Sequence, residues 1–410
     1  MILKNTLKNI IIAQQLDIHN KNLGLIRDKI RNIPTNSDQA ITISGVRRCG
    51  KSTLLRQLLK DIEQVNYLNF EDPLLSAFEI TDYDILIEIF SEINPGSKTY
   101  FFDEIQNVSN WEQMARTMLD KNNKLFITGS NSALLSKELG SKLTGRHLRF
   151  ELYPFSYNEY LRFFKEKASA ETLSEYIIYG GFPQYLKEKN PLLLKELLID
   201  ILNRDIVVRY NIKSVRVIRE LLIYLLSNTS KPQTYNSLAK LFSVKSVNTI
   251  KNYMQYFEDA YLMISIPQAT YSIKKQIVNP KKIYCIDTGL AISNGISFSE
   301  NKGNLLENAI LIELKRRSKE IYYHKNNKEC DFVIKEGTKI IEAIQVCHEL
   351  NRENQDREIN GIMEAIEQFK LNEGTIITFD QEDTIIKDKM KIKVIPAWKW
   401  MQEKSIKSKN

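Results

Sequence analysis

Residues 45–52, Gly45-Val46-Arg47-Arg48-Cys49-Gly50-Lys51-Ser52, constrain this chain more tightly than any other stretch. The pattern Gly-x-x-x-x-Gly-Lys-Ser is a phosphate-binding loop, and its flanks give it physical meaning. A short β-branched run, Ala40-Ile41-Thr42-Ile43-Ser44, precedes it, and Thr53 to Lys60 follows with apolar residues at helical spacing. Strand, glycine loop and helix predict a βα unit whose loop N–H groups and helix N-terminus converge on an anion. The binding stretch is therefore Gly45, Val46, Arg47, Arg48, Cys49, Gly50, Lys51, Ser52 and Thr53. Lys51 is placed to reach β- and γ-phosphates, and the Ser52 hydroxyl to ligate Mg²⁺.

The second half of such a site follows. Thr99-Tyr100-Phe101-Phe102-Asp103-Glu104 is an apolar strand that ends in two carboxylates. One serves the metal and the other the proton: Asp103 is expected to hold Mg²⁺ through water, and Glu104 to polarise the attacking water. A third apolar strand, Lys124 to Thr128, ends in Gly129-Ser130-Asn131, where Asn131, with Ser130 as the alternative, suits a γ-phosphate sensor. Arg146 comes after that strand. It is either an arginine finger for a neighbouring subunit or a surface charge. No Asn-Lys-x-Asp guanine-reading motif follows, which favours ATP over GTP.

Taken together, these motifs resemble the prokaryotic AAA-type ATPases that carry a C-terminal domain of unknown function (number 4143). The resemblance rests on Tyr67-Leu68-Asn69-Phe70-Glu71-Asp72-Pro73, Asp103 to Asn107 with Trp111-Glu112, Thr128 to Asn131, and Gly145-Arg146 with Leu152 to Ser156. Gly180-Gly181-Phe182-Pro183, Arg204-Asp205-Ile206, Tyr284 with Asp287, Gly289 and Leu290, and Ile344 to Cys347 extend it over nearly the whole chain. It implies an α/β chain with a P-loop (AAA-type) parallel sheet, a helical lid and winged-helix middle, and a C-terminal α/β domain similar to restriction endonucleases. It implies no settled biological role.

Composition bounds the rest. A chain of 410 residues, 43% hydrophobic and 26% charged, reads as a globular protein of two or three domains. No apolar run has the length of a membrane span, and the N-terminus lacks a long apolar segment with a small-residue cleavage site. Cysteines stand singly at 49, 285, 330 and 347, so neither a zinc site nor a disulfide framework is indicated, and a reducing, cytoplasmic setting is expected. The net charge of +8 permits a nucleic-acid partner without requiring one.

Along the chain, residues 1–38 read as helix and linker, with an apolar stripe of Leu23, Leu25, Ile26, Ile30 and Ile33 before Pro34. Strands at 40–44, 65–70, 99–103, 124–128 and 147–152 alternate with helices and predict a parallel sheet over 39–152. Trp111 is expected in its core. Residues 153–228 read as a helical lid, in which Arg204 and Arg209 flank Asp205 as a nucleotide sensor or an interhelical ion pair. In 229–280 the order is helix (Thr234–Leu241), turn, helix (Ser246–Phe257), strand (Leu262–Ile266), then a basic linker over 269–280. That is the winged-helix order, used either on DNA or as a packing module.

The third module, 281–405, places Glu307 on a helix, Asp331 on one strand and Gln345 with Cys347 on the next. A helix Glu, a strand Asp and an acidic/amide-x-Lys is the Mg²⁺ site of restriction-type nucleases. Here cysteine stands at the lysine position, so the site reads as degraded unless Lys339 or Arg357 substitutes in space. Trp398 and Trp400 are expected to close this core from a strand or turn, with Lys404 to Asn410 a disordered tail.

The expectation is thus a Mg²⁺-dependent ATPase acting as a switch or motor, on nucleic acid. The alternatives are an ATP-regulated nuclease and a nucleotide-dependent protein-interaction switch. Oligomerisation is open.

Overall fold

The computed structural model describes residues 2–62, 64–132, 145–270, 272–296, 302–317 and 319–403. Leu143, Thr144 and the Lys404–Asn410 tail lie outside them. Two compact units form: Met1–Leu152 with Asp259–Tyr261, and Tyr153–Glu258 with Leu262–Asn410.

In the first unit the elements are α1 (Lys4–Asn20), β1 (Ala40–Ser44), α2 (Lys51–Leu59), β2 (Asn66–Asn69), α3 (Tyr83–Ile93), β3 (Thr99–Asp103), α4 (Trp111–Asp120), β4 (Lys124–Gly129) and β5 (His147–Glu151). The five strands pair in parallel in the order β2-β3-β4-β1-β5. Every residue of β1 is buried, as a β-branched strand covered on both faces must be. Phe101 of β3 stacks on Phe126 of β4 at 4.5 Å between ring centroids. Trp111 starts α4 and is 2% exposed, a core residue as expected. Because all five strands run one way, Ser44, Asp103 and Gly129 end at one edge, where an open α/β sheet binds its ligand.

The N-terminal stripe is not a helix. Gly24 takes φ +60°, which ends regular structure across it, and residues 28–32 form one 3₁₀ turn. The helix lies earlier, in α1, and buries Leu7, Ile10, Ile11 and Ile18.

The second unit opens with α5 (Tyr157–Phe164), α6 (Ala170–Tyr179), α7 (Pro183–Glu188) and α8 (Leu192–Asp200). A π-helix, Ile201–Val208, carries Arg204 and Asp205, and α9 (Val215–Ser227) follows. Then come β6 (Pro232–Gln233), α10 (Tyr235–Leu241), α11 (Val247–Asp259), β7 (Met263–Ile266), α12 (Ile273–Val278), β8 (Lys281–Cys285), α13 (Thr288–Asn294) and α14 (Lys302–Arg316). The last elements are β9 (Glu320–Lys325), β10 (Glu329–Glu336), β11 (Lys339–Val346), α15 (Gln355–Phe369), β12 (Glu373–Thr378), β13 (Asp383–Lys387), β14 (Met390–Pro396) and α16 (Ala397–Trp400). A three-stranded sheet has the order β6-β8-β7 and a six-stranded mixed sheet the order β13-β14-β12-β11-β10-β9. The stretch expected as a linker holds α12, and β8 just after it is the central strand of the smaller sheet. Trp398 and Trp400 lie on a helix rather than a strand. Trp400 is buried under Arg317, while Trp398 Nε1 donates to Asp380 Oδ1 at 2.8 Å. Among the described residues no helix is long and apolar enough to cross a membrane.

The motif glycines at 180 and 181 are explained by Asp287. Its Oδ2 accepts from Gly181 N at 2.7 Å and its Oδ1 from Leu290 N at 2.9 Å, capping α13. A Cβ on Gly180 would lie 2.1 Å from Asp287 Oδ1, so only glycine fits beside this carboxylate. Burial raises the Asp287 carboxyl to about 6 from 3.8, against the pull of those N–H groups. A raised carboxylate takes up a proton on folding, so its contribution to stability is full at low pH and is lost as pH climbs through 4 to 6. The stability advantage of wild type over Asp287→Asn should therefore shrink by about 2–3 kcal/mol from pH 4 to pH 7, read by urea unfolding. A pH-independent difference contradicts this assignment.

Candidate active site

The glycine loop closes between β1 and α2. Gly50 takes φ +103° immediately before α2, which no side chain bearing a Cβ adopts without strain. A Cβ on Gly45 would sit 2.1 Å from Leu152 O, so this position too needs glycine. Lys51, the first residue of α2, is 3% exposed. Its Nζ donates to Gly45 O at 3.1 Å and Val46 O at 3.3 Å, and lies 3.2 Å from Glu104 Oε1. An ammonium has three N–H donors, and these three partners use them all.

Asp103 ends β3, and Glu104 turns away from it in the left-handed region at φ +50°. Thr128 of β4 ties the two together: its hydroxyl donates to Asp103 Oδ1 and accepts from Glu104 N at 3.0 Å. Tyr67 OH donates to Asp103 Oδ2 at 3.3 Å, and Ser52 also hydrogen-bonds Asp103. Gln106 Nε2 donates to Glu104 Oε2 and to Ser130 Oγ, the latter at 3.1 Å. Burial alone would raise Glu104, but the Lys51 ammonium beside it, the Gln106 amide and the Arg47 charge outweigh burial and hold its carboxyl below the ordinary value. Asp103 moves the other way, raised by burial and then by the charge of Glu104, despite the bonds from Ser52 and Thr128. The surroundings thus push the two adjacent carboxyl groups apart in proton affinity, Glu104 down and Asp103 up.

Ser52 and Asp103 line one cavity of about 400 Å³ with Tyr67, Asn69 and Glu71. An oxygen-only pair, hydroxyl and carboxylate, suits Mg²⁺, which takes one or two protein ligands and completes its shell with water and phosphate. The absence, among the described residues, of any group of three or more His, Cys, Asp or Glu arranged for a metal is compatible with that mode. Arg47 pairs with Glu71 across the mouth of the loop.

Not every expected residue converges here. Asn131 is 1% exposed and follows Ser130, the partner of Gln106. Arg146 lies elsewhere. Its carbonyl accepts from Ala40 N at 3.1 Å, at the opposite end of β1 from the loop, and its guanidinium pairs with Asp120 at 2.5 Å.

Three contributors escaped the sequence. Arg27 is 3% exposed and its Nη1 donates to Cys49 O at 2.8 Å, bracing the loop from outside. Gln57 fixes that segment by donating to Leu23 O and Leu25 O at 2.7 and 2.8 Å and accepting from Arg27 N at 3.1 Å. Gln106 is the third. The only trace of it beforehand was its place in Asp103 to Asn107.

In the second unit, Glu307, Asp331 and Gln345 do come together. Asp331 N donates to Gln345 Oε1 at 3.2 Å, and Asp331 Oδ2 accepts from Val346 N at 2.9 Å. Of the two cations weighed for this place, Arg357 lines the same cavity as Glu307, Asp331, Gln345 and Cys347, and Lys339 does not. Arg357 bonds Glu358, and Lys339 lies opposite Glu336 at the far end of β11. Lys282 of β8 holds the position, its Nζ 2.7 Å from Asp331 Oδ1, 3.1 Å from Glu307 Oε1 and 2.9 Å from Glu329 Oε1. Burial raises Cys347 to about 12, a neutral thiol.

A family model described as AAA domain matches residues 37–161, and one described as domain of unknown function (DUF8612) matches 170–299. An uncharacterized protein of Methanocaldococcus jannaschii is 37% identical over 433 residues, spanning 98% of this chain and 96% of its own length. The chain belongs to that protein's family. An uncharacterized protein of Haemophilus influenzae is 30% identical, over 77% of this chain and 84% of its own. The first unit accordingly holds an AAA-type, nucleotide-binding ATPase domain. The matched domain of unknown function bears a different number from the one expected and ends before the six-stranded sheet. Among solved structures, a Signal Transduction ATPase with Numerous Domains (STAND) protein with a tetratricopeptide repeat sensor from Pyrococcus horikoshii is 16% identical, with TM-score 0.28, over 73% of this chain and 46% of that one. Cdc6p from Pyrobaculum aerophilum is 13% identical, with TM-score 0.23, over 62% of this chain and 86% of that one. At these scores neither carries an argument about this chain.

Loss of the Arg27 brace has a measurable consequence. A charged hydrogen bond to a backbone carbonyl is worth about 1.5–3 kcal/mol. Arg27→Met should weaken binding of a fluorescent ATP analogue by about tenfold or more, with the circular dichroism spectrum unchanged. Unaltered affinity would show that the brace does not hold the loop in its binding form.

Proposed function

We propose that this family member hydrolyses ATP with Mg²⁺ and uses the cycle as a switch or motor on nucleic acid. One observation carries the hydrolytic part: Glu104 is held between Lys51 and Gln106 at the carboxyl edge of the sheet, next to an Asp103 tied to Ser52 and Thr128. In this reading the loop amides of residues 45–53 cradle the phosphates and Lys51 neutralises β- and γ-oxygens. Ser52 and Asp103 hold Mg²⁺, whose charge offsets that of the phosphates. Glu104 accepts the proton of the attacking water, Gln106 positions Glu104, and Asn131 contacts the γ-phosphate. Arg146, exposed at the far edge of the sheet, acts only across an interface, as a finger for a second copy.

Nucleic acid is favoured as the object by α11. Following α10 and a turn, it exposes Asn248, Lys251, Asn252 and Gln255, with Lys245 and Ser246 exposed just ahead of it. That is a face of hydrogen-bonding and basic groups with few apolar ones, as a recognition helix needs. We assign α10, α11 and the β7–β8 pair to a winged-helix module on this basis.

ATP turnover should rise when double-stranded DNA is added, and the stimulation should fall steeply with salt. Glu104→Gln should lower turnover by about 100-fold or more. The double substitution Lys251→Ala with Asn252→Ala should abolish the stimulation and leave basal turnover intact. Turnover that depends on Glu104 but is indifferent to single- and double-stranded DNA would redirect the reading to a protein-directed switch.

A further inference from the structure

The carboxylate site of the third module reads as degraded in the sequence, and its residues in place do not fit Mg²⁺. Gln345 spends its Oε1 on Asp331 N and its Nε2 on Glu358 Oε2 at 2.6 Å. Cys347 is a neutral thiol. Asp331 has one oxygen committed to Val346 N and the other to Lys282. Glu307 Oε1 accepts from Tyr284 OH at 2.7 Å as well as from Lys282. Among the described residues no group of three or more metal-type side chains is arranged for an ion.

We infer that the ammonium of Lys282 is the resident cation of this carboxylate centre, standing where a divalent metal would stand and closing the module to Mg²⁺. Lys282 is 2% exposed, yet it sits at the common focus of Glu307, Glu329 and Asp331, with one N–H for each. The three carboxylates arrive from two different elements, α14 and β10, while the lysine arrives from a third, β8. At 2.7–3.1 Å from all three carboxylates the ammonium fills their common focus, the place that a Mg²⁺ bridging them with oxygen ligands at about 2.0–2.1 Å would need. A second positive ion beside a buried ammonium would also meet direct repulsion. The centre is thus a clamp: it binds β8, the middle strand of the three-stranded sheet, to the helix and strand that start the six-stranded one.

Removal of the clamp has a definite result. A cavity of about 640 Å³ opens on Glu307, Glu329, Asp331 and Gln345, so an ion in solution has a path to them. Without the ammonium, Glu307 and Asp331 lose their ion-pair partner and Glu329 keeps only Lys325 at 3.0 Å, a situation that a divalent cation relieves.

The test titrates Mn²⁺ into the full chain without nucleotide, reading bound ion by electron paramagnetic resonance. Wild type should bind no Mn²⁺ that is lost on Asp331→Asn. Lys282→Ala should gain one equivalent that disappears when Asp331→Asn is added, and its melting temperature should become Mn²⁺-dependent where that of wild type is not. Lys282→Arg, which keeps the charge, should gain nothing. A wild-type site abolished by Asp331→Asn would overturn the inference, as would a folded Lys282→Ala that binds no ion. If Lys282→Ala fails to fold, the comparison of wild type with Asp331→Asn decides alone.

Discussion

The buried pair of Lys51 and Glu104 is the constraint on which the ATPase unit depends. Taking an ammonium and a carboxylate out of water costs several kcal/mol each, which their attraction repays only with good geometry and further hydrogen bonds. The fold supplies both. The loop carbonyls of Gly45 and Val46 satisfy the remaining donors of Lys51, and the Gln106 amide satisfies the second oxygen of Glu104. That geometry needs β1 and β3 to end at one edge with β4 between them, because Thr128 of β4 fixes both the Asp103 side chain and the Glu104 backbone. Parallel pairing of these strands is therefore a condition of the site as well as a way of burying Phe101, Phe126 and Ile43.

A second lysine among carboxylates lies in the other unit, and the contrast explains what each can do. Lys51 opens α2 directly after the loop and shares its donors between two loop carbonyls and one carboxylate, so a phosphate oxygen can take the place of the carboxylate while the carbonyls stay bound. Lys282 sits in the middle strand of a sheet and gives all three donors to carboxylates. Exchange at the first is the step that the proposed catalysis uses. Exchange at the second would leave buried charge uncompensated, so the same pair of residue types there makes a fixed joint.

Much of the candidate nucleotide site was legible in the sequence because its pieces are local. Gly45 to Ser52 and Asp103-Glu104 are contiguous stretches whose spacing alone predicts where backbone amides and carboxylates will point, and the strand runs predicted the parallel sheet. What could not be read depends on register between distant segments. Arg27 reaches Cys49 from a stretch, residues 21–27, that forms no regular helix, and Gly24 at φ +60° breaks it. Thr128 and Gln106 gain their roles from strand order, which periodicity does not give. Lys282 was hidden more deeply. It stood beside Lys281 in a run of basic residues, and lysines are rarely buried unless paired. The partners that bury it lie on Glu307, Glu329 and Asp331, with no local pattern linking them.

In the proposed cycle Lys51 leaves Glu104 to hold a phosphate, since its three donors are already used. The most direct measurement is the equilibrium affinity of Glu104→Gln for ATP with Mg²⁺, against wild type, in a fluorescence titration under conditions where neither protein turns over. Loss of the carboxylate charge frees Lys51, so Glu104→Gln should bind ATP several-fold more tightly. Unchanged or weaker binding, in a variant with wild-type circular dichroism and melting temperature, would contradict the exchange of partners at Lys51.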